Sequence, residues 1–115
     1  MIPYGRQQVD AADIAAVEKV LKGDWLTSGP AVTEFEEALA DYVGAKYAVT
    51  FSSATAALHA ACAVAGLGLG DLVHTSPLTF IASANCARYV GATPALIDID
   101  PTTFNIDTNQ ITENI

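Results

Sequence analysis

Ser52-Ser53-Ala54-Thr55 is the stretch of this sequence best placed to do chemistry. Before it stands Tyr47-Ala48-Val49-Thr50-Phe51, β-branched and aromatic. After it runs Ala56-Ala57-Leu58-His59-Ala60-Ala61-Cys62, helix-friendly and mostly apolar. A strand that turns through small hydroxyl residues straight into a helix aims unsatisfied backbone N–H groups at one point, and the helix dipole adds partial positive charge there. Such a point binds an anion, most often a phosphate. Ser53 also suits a plain helix N-cap, and the local pattern leaves both readings open.

Two further loops join this turn if the sheet is parallel, because ligands bind beyond the carboxyl ends of the strands in such sheets. Ser76-Pro77-Leu78-Thr79-Phe80 offers an aromatic ring, Phe80, that could lie on a flat cofactor or simply belong to the core. Asp98-Ile99-Asp100-Pro101-Thr102-Thr103-Phe104 offers carboxylates. Asp98 and Asp100 imitate a metal-binding pair, but two carboxylates without further ligands, followed by a turn at Pro101, predict no metal. Gly66-Leu67-Gly68-Leu69-Gly70 follows a helical run and precedes a strand-like one. That is the wrong context for a dinucleotide fingerprint and the right one for a helix stop and a turn. His59, inside an apolar helix, and His74, inside a strand, read as core histidines.

The elements that must position these loops follow from hydrophobic period. Residues 1–9 read as an extended arm, with Pro3 and Gly5 against helix. Asp10 caps a helix with Ile14, Val17 and Leu21 on its apolar face, ending at Gly23. A loop over 24–30 leads to a second helix starting near Pro30, with Val32, Phe35, Leu39, Tyr42 and Val43 inward and Gly44 closing it. Glu34, Glu36, Glu37 and Asp41 read as its solvated face. Then come a strand over 47–51, a helix over 54–66, a strand over 72–75, a helix over 79–90 and a strand over 94–99. This β-α-β-α-β order predicts an α/β fold with a parallel sheet, preceded by two helices. The predicted organisation is one domain: arm and helices over 1–45, core over 46–100, and a loop and the start of a helix over 101–115. Helix 54–66 is apolar nearly all round, as expected if more protein than this chain covers it. The sequence stops soon after a helix would begin near Asp107, which reads as a truncation.

Composition narrows the partners. The chain has 115 residues, 51% of them hydrophobic and 16% charged, with a formal charge of −8 and five basic residues. That surface repels nucleic acid and anionic membranes. No stretch approaches the roughly 20 apolar residues of a membrane helix, and no signal peptide opens the chain. Cys62 and Cys86, with no CxxC spacing, read as buried free thiols in a reducing compartment, the cytoplasm.

The chain resembles the DegT/DnrJ/EryC1/StrS group of sugar aminotransferases, which use pyridoxal phosphate on the fold-type I scaffold. The segments that carry the likeness are Ile2-Pro3-Tyr4-Gly5, Leu26-Thr27-Ser28-Gly29-Pro30 with Phe35-Glu36, and Gly44-Ala45-Lys46-Tyr47-Ala48. Ser52 to His59, Thr75 to Asn85 and Ile97-Asp98-Ile99-Asp100-Pro101 continue it. Within the group the chain looks most like enzymes of the pseudaminic acid pathway, which aminate C4 of a UDP-linked 4-keto-6-deoxy-N-acetylhexosamine with glutamate as donor. The resemblance implies that Ser53, Ala54 and Thr55 hold the cofactor phosphate and that Phe80 stacks on the pyridine ring. It also implies that Tyr4 and the loop Asp24, Trp25, Leu26 and Thr27 line the nucleotide-sugar site, and that the protein works as a homodimer.

One departure is large. The reaction needs a lysine that forms a Schiff base with the cofactor and an acid against the pyridinium nitrogen, and in the family both lie downstream of this segment. Lys19 and Lys22 fall in the first helix. Lys46 precedes a five-residue strand that spans roughly 16 Å, while a lysine side chain reaches only about 6 Å. None of the three is expected to be that lysine, so this chain alone is expected not to transaminate. Two rival classes share the pattern: a small flavodoxin-like nucleotide- or flavin-binding module with a self-contained sheet, and an interaction domain whose apolar helix is buried in an oligomer.

Overall fold

A computed structural model describes residues 5–112. The chain divides into two compact units, Met1–Thr50 and Phe51–Ile115.

The first unit holds helices α1 (Ala11–Leu21) and α2 (Pro30–Val43). The Asp10 side chain accepts from the N–H groups of Ala12 and Asp13, and the Asp13 carboxylate accepts from the Asp10 N–H, so a complete capping box starts α1. Pro30 opens α2, where the missing N–H costs nothing. Gly44 ends α2 at φ 69°, a left-handed position that a side chain would strain. Neither helix is buried along its apolar stripe within its own unit; Ile14, Val17 and Leu21 are each at least 60% exposed.

The run over 47–51 is not a strand. A strand is defined by the ladder it makes, and no described residue pairs with this segment. It is held by a helix side chain instead. Glu36 Oε1 accepts from the Thr50 N–H at 2.7 Å and from the Thr50 hydroxyl at 2.8 Å. Glu36 is thus half-buried and engaged rather than part of a solvated acidic face. The two donors, the backbone N–H first and then the hydroxyl, hold its carboxyl below the ordinary carboxylate range. A carboxyl lowered by folding stabilises the fold above its unfolded pKa and loses that contribution as pH falls through the folded value. The difference in melting temperature between the native protein and Glu36→Gln should therefore shrink as pH is lowered through the acid range. A difference that stays constant with pH would contradict this.

The second unit is built on α3 (Ala54–Val64), β1 (Leu72–Thr75), α4 (Ala82–Tyr89), β2 (Thr93–Leu96) and α5 (Thr108–Thr112). β1 and β2 pair in parallel, Leu72 opposite Thr93 and Thr75 opposite Leu96, joined through α4. The α/β class and the parallel register are as the sequence predicts, with two ladder strands in place of three. The self-contained sheet that a flavodoxin-like module requires is not present among the described residues. α4 lies on both strands and packs against α3. The core there is small-residue packing: Cys62, Ala82, Cys86, Ala87, Ala92 and Ile97 are buried. Both cysteines are free. Burial, then the neighbouring Cys86 thiol, pushes the Cys62 thiol up from its ordinary value.

His59 departs from its reading as a core histidine. It is exposed and its ring meets Tyr89, with centroids 5.2 Å apart. His74 is half-buried, and its Nε2 has no hydrogen-bond partner, so it is not the satisfied core histidine expected. Helix α3 is mostly uncovered, with Val64 90% exposed. Among the described residues, no helix is long and apolar enough to cross a membrane.

Candidate functional site

The end of α3 decides what the Ser52–Thr55 turn can do. Ser53 is extended, at φ −162° and ψ 159°, and its Oγ accepts from the Ala56 N–H at 3.2 Å. Its carbonyl accepts from the Ala57 N–H at 3.1 Å. The cap reading is therefore correct, and it sharpens the anion reading. With those two N–H groups satisfied, the N–H groups of Ala54 and Thr55 are the donors left at the positive end of an eleven-residue helix. Thr55 adds a hydroxyl. Two convergent N–H groups and hydroxyls at a helix N-terminus form a donor set that fits a phosphate dianion.

Two contacts join the segments at the far ends of α3 and α4. A Cβ on Gly91 would stand 3.6 Å from Leu69 Cγ, and one on Gly68 would stand 3.8 Å from the Val90 carbonyl oxygen. The segments that follow α3 and α4 therefore meet, and the two helices pack on each other. The loop 76–81 follows the carboxyl end of β1 and carries Phe80 there. α4 starts at Ala82, three residues later than the sequence predicts. Ser76 Oγ holds the Leu78 N–H at 3.1 Å and the Thr79 and Ser83 hydroxyls lie 3.0 Å apart, so a side-chain-bonded turn occupies the first predicted turn of that helix. Phe80 is 74% exposed, which removes the core reading and leaves its ring face available.

The third loop follows β2 but offers no free carboxylate cluster. Asp100 Oδ1 accepts from the N–H groups of Thr102 and Thr103, and Asp98 Oδ1 accepts from the Ile99 N–H. The Thr103 bond first, then that of Thr102, lowers the Asp100 carboxyl below its ordinary value. Ile99 and Ile106 bridge in antiparallel sense, making a small hairpin with Phe104 at φ 60°. Among the described residues, no three His, Cys, Asp or Glu side chains converge as a metal set would require.

The first unit holds the other predicted group. Asp24 and Trp25 line an open cavity of about 500 Å³ with Lys19, Glu34, Phe35 and Pro30. Leu26 instead lines a separate open cavity with Ala16, Val17, Val20 and Leu21. Among the described residues Thr27 makes no side-chain hydrogen bond, and Tyr4 lies outside them. Of the lysines, Lys22 pairs with Glu18 at 2.6 Å, and Lys46 lies 5.0 Å from the centre of the Tyr47 ring. Sequence reasoning missed the engagement of Glu36. Its partner Thr50 is fourteen residues away, and no periodic signal links a helix carboxylate to a non-helical donor at that distance.

Comparison with known proteins identifies the family. A family model described as the DegT/DnrJ/EryC1/StrS aminotransferase family matches residues 7–115. GDP-perosamine synthase of Caulobacter vibrioides is 49% identical over 107 residues, covering 92% of this chain and 29% of that protein. UDP-4-amino-4,6-dideoxy-N-acetyl-beta-L-altrosamine transaminase of Campylobacter jejuni is 49% identical over 100 residues, covering 86% of this chain and 26% of that protein. Among solved structures, Spr1654 of Streptococcus pneumoniae, assigned as a sugar aminotransferase, superposes with a TM-score of 0.92 at 35% identity. The match covers 99% of this chain and 29% of that one, in apo, PMP and PLP forms. The chain thus spans between a quarter and a third of the length of the proteins it matches. By its sequence over residues 7–115 and by its fold, the chain belongs to the DegT/DnrJ/EryC1/StrS aminotransferase family.

Proposed function

We propose that this chain supplies the phosphate half of a pyridoxal phosphate site, and part of a nucleotide-sugar site, to a sugar aminotransferase. Ser53, Ala54 and Thr55 bind the cofactor phosphate, and Phe80 lies on its ring. Tyr4 and the Asp24–Thr27 loop line the nucleotide-sugar site. The observation that carries the reading is the pair of N–H groups on Ala54 and Thr55 that the Ser53 cap leaves unused at the head of α3, with Phe80 exposed in the loop after β1. The match to a fold solved in PLP and PMP forms supports it. When bound, pyridoxal phosphate supplies an electron sink and a carrier for the amino group. The residues here bind the phosphate, orient the ring and shield one of its faces.

For the reaction we propose transfer of an amino group from glutamate to C4 of a UDP-linked 4-keto-6-deoxy sugar. The likeness to a UDP-sugar transaminase supports UDP, whereas an equally identical relative is named for a GDP sugar. The whole protein works as a homodimer in the cytoplasm. Two unlinked buried thiols suit that compartment, and apolar side chains such as Val64 suit cover by further protein. The family resemblance puts the covalent lysine downstream of this segment, so residues 1–115 alone do not transaminate.

A titration of the whole protein with pyridoxal phosphate tests this. It should develop visible absorbance that glutamate discharges and a UDP-ketosugar restores, while residues 1–115 show no turnover. Turnover by residues 1–115 alone would overturn the lysine assignment. Absence of any spectral change in the whole protein would overturn the cofactor assignment.

A further inference from the structure

We propose that Gly29 is a positioning residue for the nucleotide-sugar site, acting through Trp25; the inference rests on the reading of the Asp24–Thr27 loop given above. Gly29 is the N-cap of α2 and is extended, at φ −85° and ψ −177°, a conformation open to any residue. Backbone freedom therefore does not explain a glycine here. Space does. A Cβ on Gly29 would stand 2.6 Å from Trp25 Cβ and 3.5 Å from both Trp25 Cγ and the Trp25 carbonyl oxygen. Those atoms sit at the root of the side chain and on the backbone, so no rotation of the indole relieves the overlap. The loop itself must move.

What would move is a wall of the cavity. Trp25 is 65% exposed and Phe35 56% exposed, and both line the same open space of about 500 Å³ beside Asp24 and Glu34. Two exposed aromatic rings in one concavity are a surface for a flat or apolar ligand face. Gly29 lets the chain double back from Trp25 into α2 closely enough to hold the indole on that wall. The Pro30 ring that follows fixes the first turn of α2, so the closure is rigid on one side.

The test uses the whole protein, with UDP as the nucleotide probe and pyridoxal phosphate titrated separately by absorbance. Trp25→Ala and Gly29→Ala should each weaken UDP binding by about tenfold, the size of losing one base–aromatic stack. Neither should alter the cofactor titration. Because the overlap is with Trp25 Cβ, the swap Trp25→Gly with Gly29→Ala should recover the melting temperature lost by Gly29→Ala, yet not recover UDP binding. If Trp25→Ala weakens UDP binding and a folded Gly29→Ala does not, the inference falls while the loop reading stands. Native UDP affinity in both single variants would overturn the loop reading itself. Loss of cofactor together with UDP in Gly29→Ala would mark a general structural role and overturn the inference. If Gly29→Ala does not fold, the swap decides: recovery of a cooperative melt supports the Trp25 contact, and failure to recover overturns it.

Discussion

Replacing Ala54 with proline should weaken pyridoxal phosphate binding by about ten- to a hundredfold and leave the fold intact. Ala54 is the first residue of α3, where proline fits the helix without removing an intrahelical bond. The residue before a proline must be extended, and Ser53 already is. The Ser53 cap bonds go to Ala56 and Ala57 and are untouched. The substitution therefore removes one N–H donor and nothing else. A hydrogen bond to a charged group contributes about 1.5–3 kcal/mol, which sets the expected loss. It is measured by absorbance titration of the whole protein, with circular dichroism to show that helix content is unchanged. Native affinity in a folded Ala54→Pro protein would remove the Ala54 N–H from the phosphate site.

Ile97→Ala should cost about 2–5 kcal/mol of stability, the range for emptying a buried branched side chain. Ile97 is 3% exposed at the exit of β2, and its N–H reaches the Thr75 carbonyl at 3.0 Å. Most other buried positions of this unit are alanine or cysteine, so no large neighbour is available to fill the cavity. The loss is a large fraction of the roughly 5–15 kcal/mol of a typical domain. Urea unfolding of the whole protein measures it, and a change below about 1 kcal/mol would mean that the site collapses around the smaller side chain. The two variants separate the ligand end of the second unit from the packing that supports it.

Much of this arrangement is legible in the sequence because its signals are local. Asp10, Pro30, Gly44 and Ser53 mark helix ends through side-chain oxygens, a missing N–H and a left-handed backbone, and each stands at the end it announces. The runs over 72–75 and 94–99 correctly identify the parallel pair, although β2 covers only Thr93–Leu96. What failed depended on contacts that composition and hydrophobic period do not encode. The segment 47–51 has the composition of a strand but no ladder to join, and no property of its own residues can supply one. Thr79 and Phe80 look helical, yet α4 starts only at Ala82, after a loop in which Ser76 Oγ accepts from the Leu78 N–H and the Thr79 and Ser83 hydroxyls meet. His59 reads as core because its neighbours are apolar, although they remain exposed on α3. The role of Gly29 is invisible to a reading that asks glycine only for unusual backbone angles, since its reason is the atom it lacks beside Trp25. At the candidate site, the donors at the head of α3 follow from sequence. Whether Phe80 belongs to the core had to wait for its exposure.

A crystal structure of the whole protein with pyridoxal phosphate tests the central claim most directly. Phosphate oxygens about 2.7–3.2 Å from the backbone nitrogens of Ala54 and Thr55, with the Phe80 ring on the pyridine face, are the predicted result. A phosphate bound away from the α3 N-terminus would contradict it.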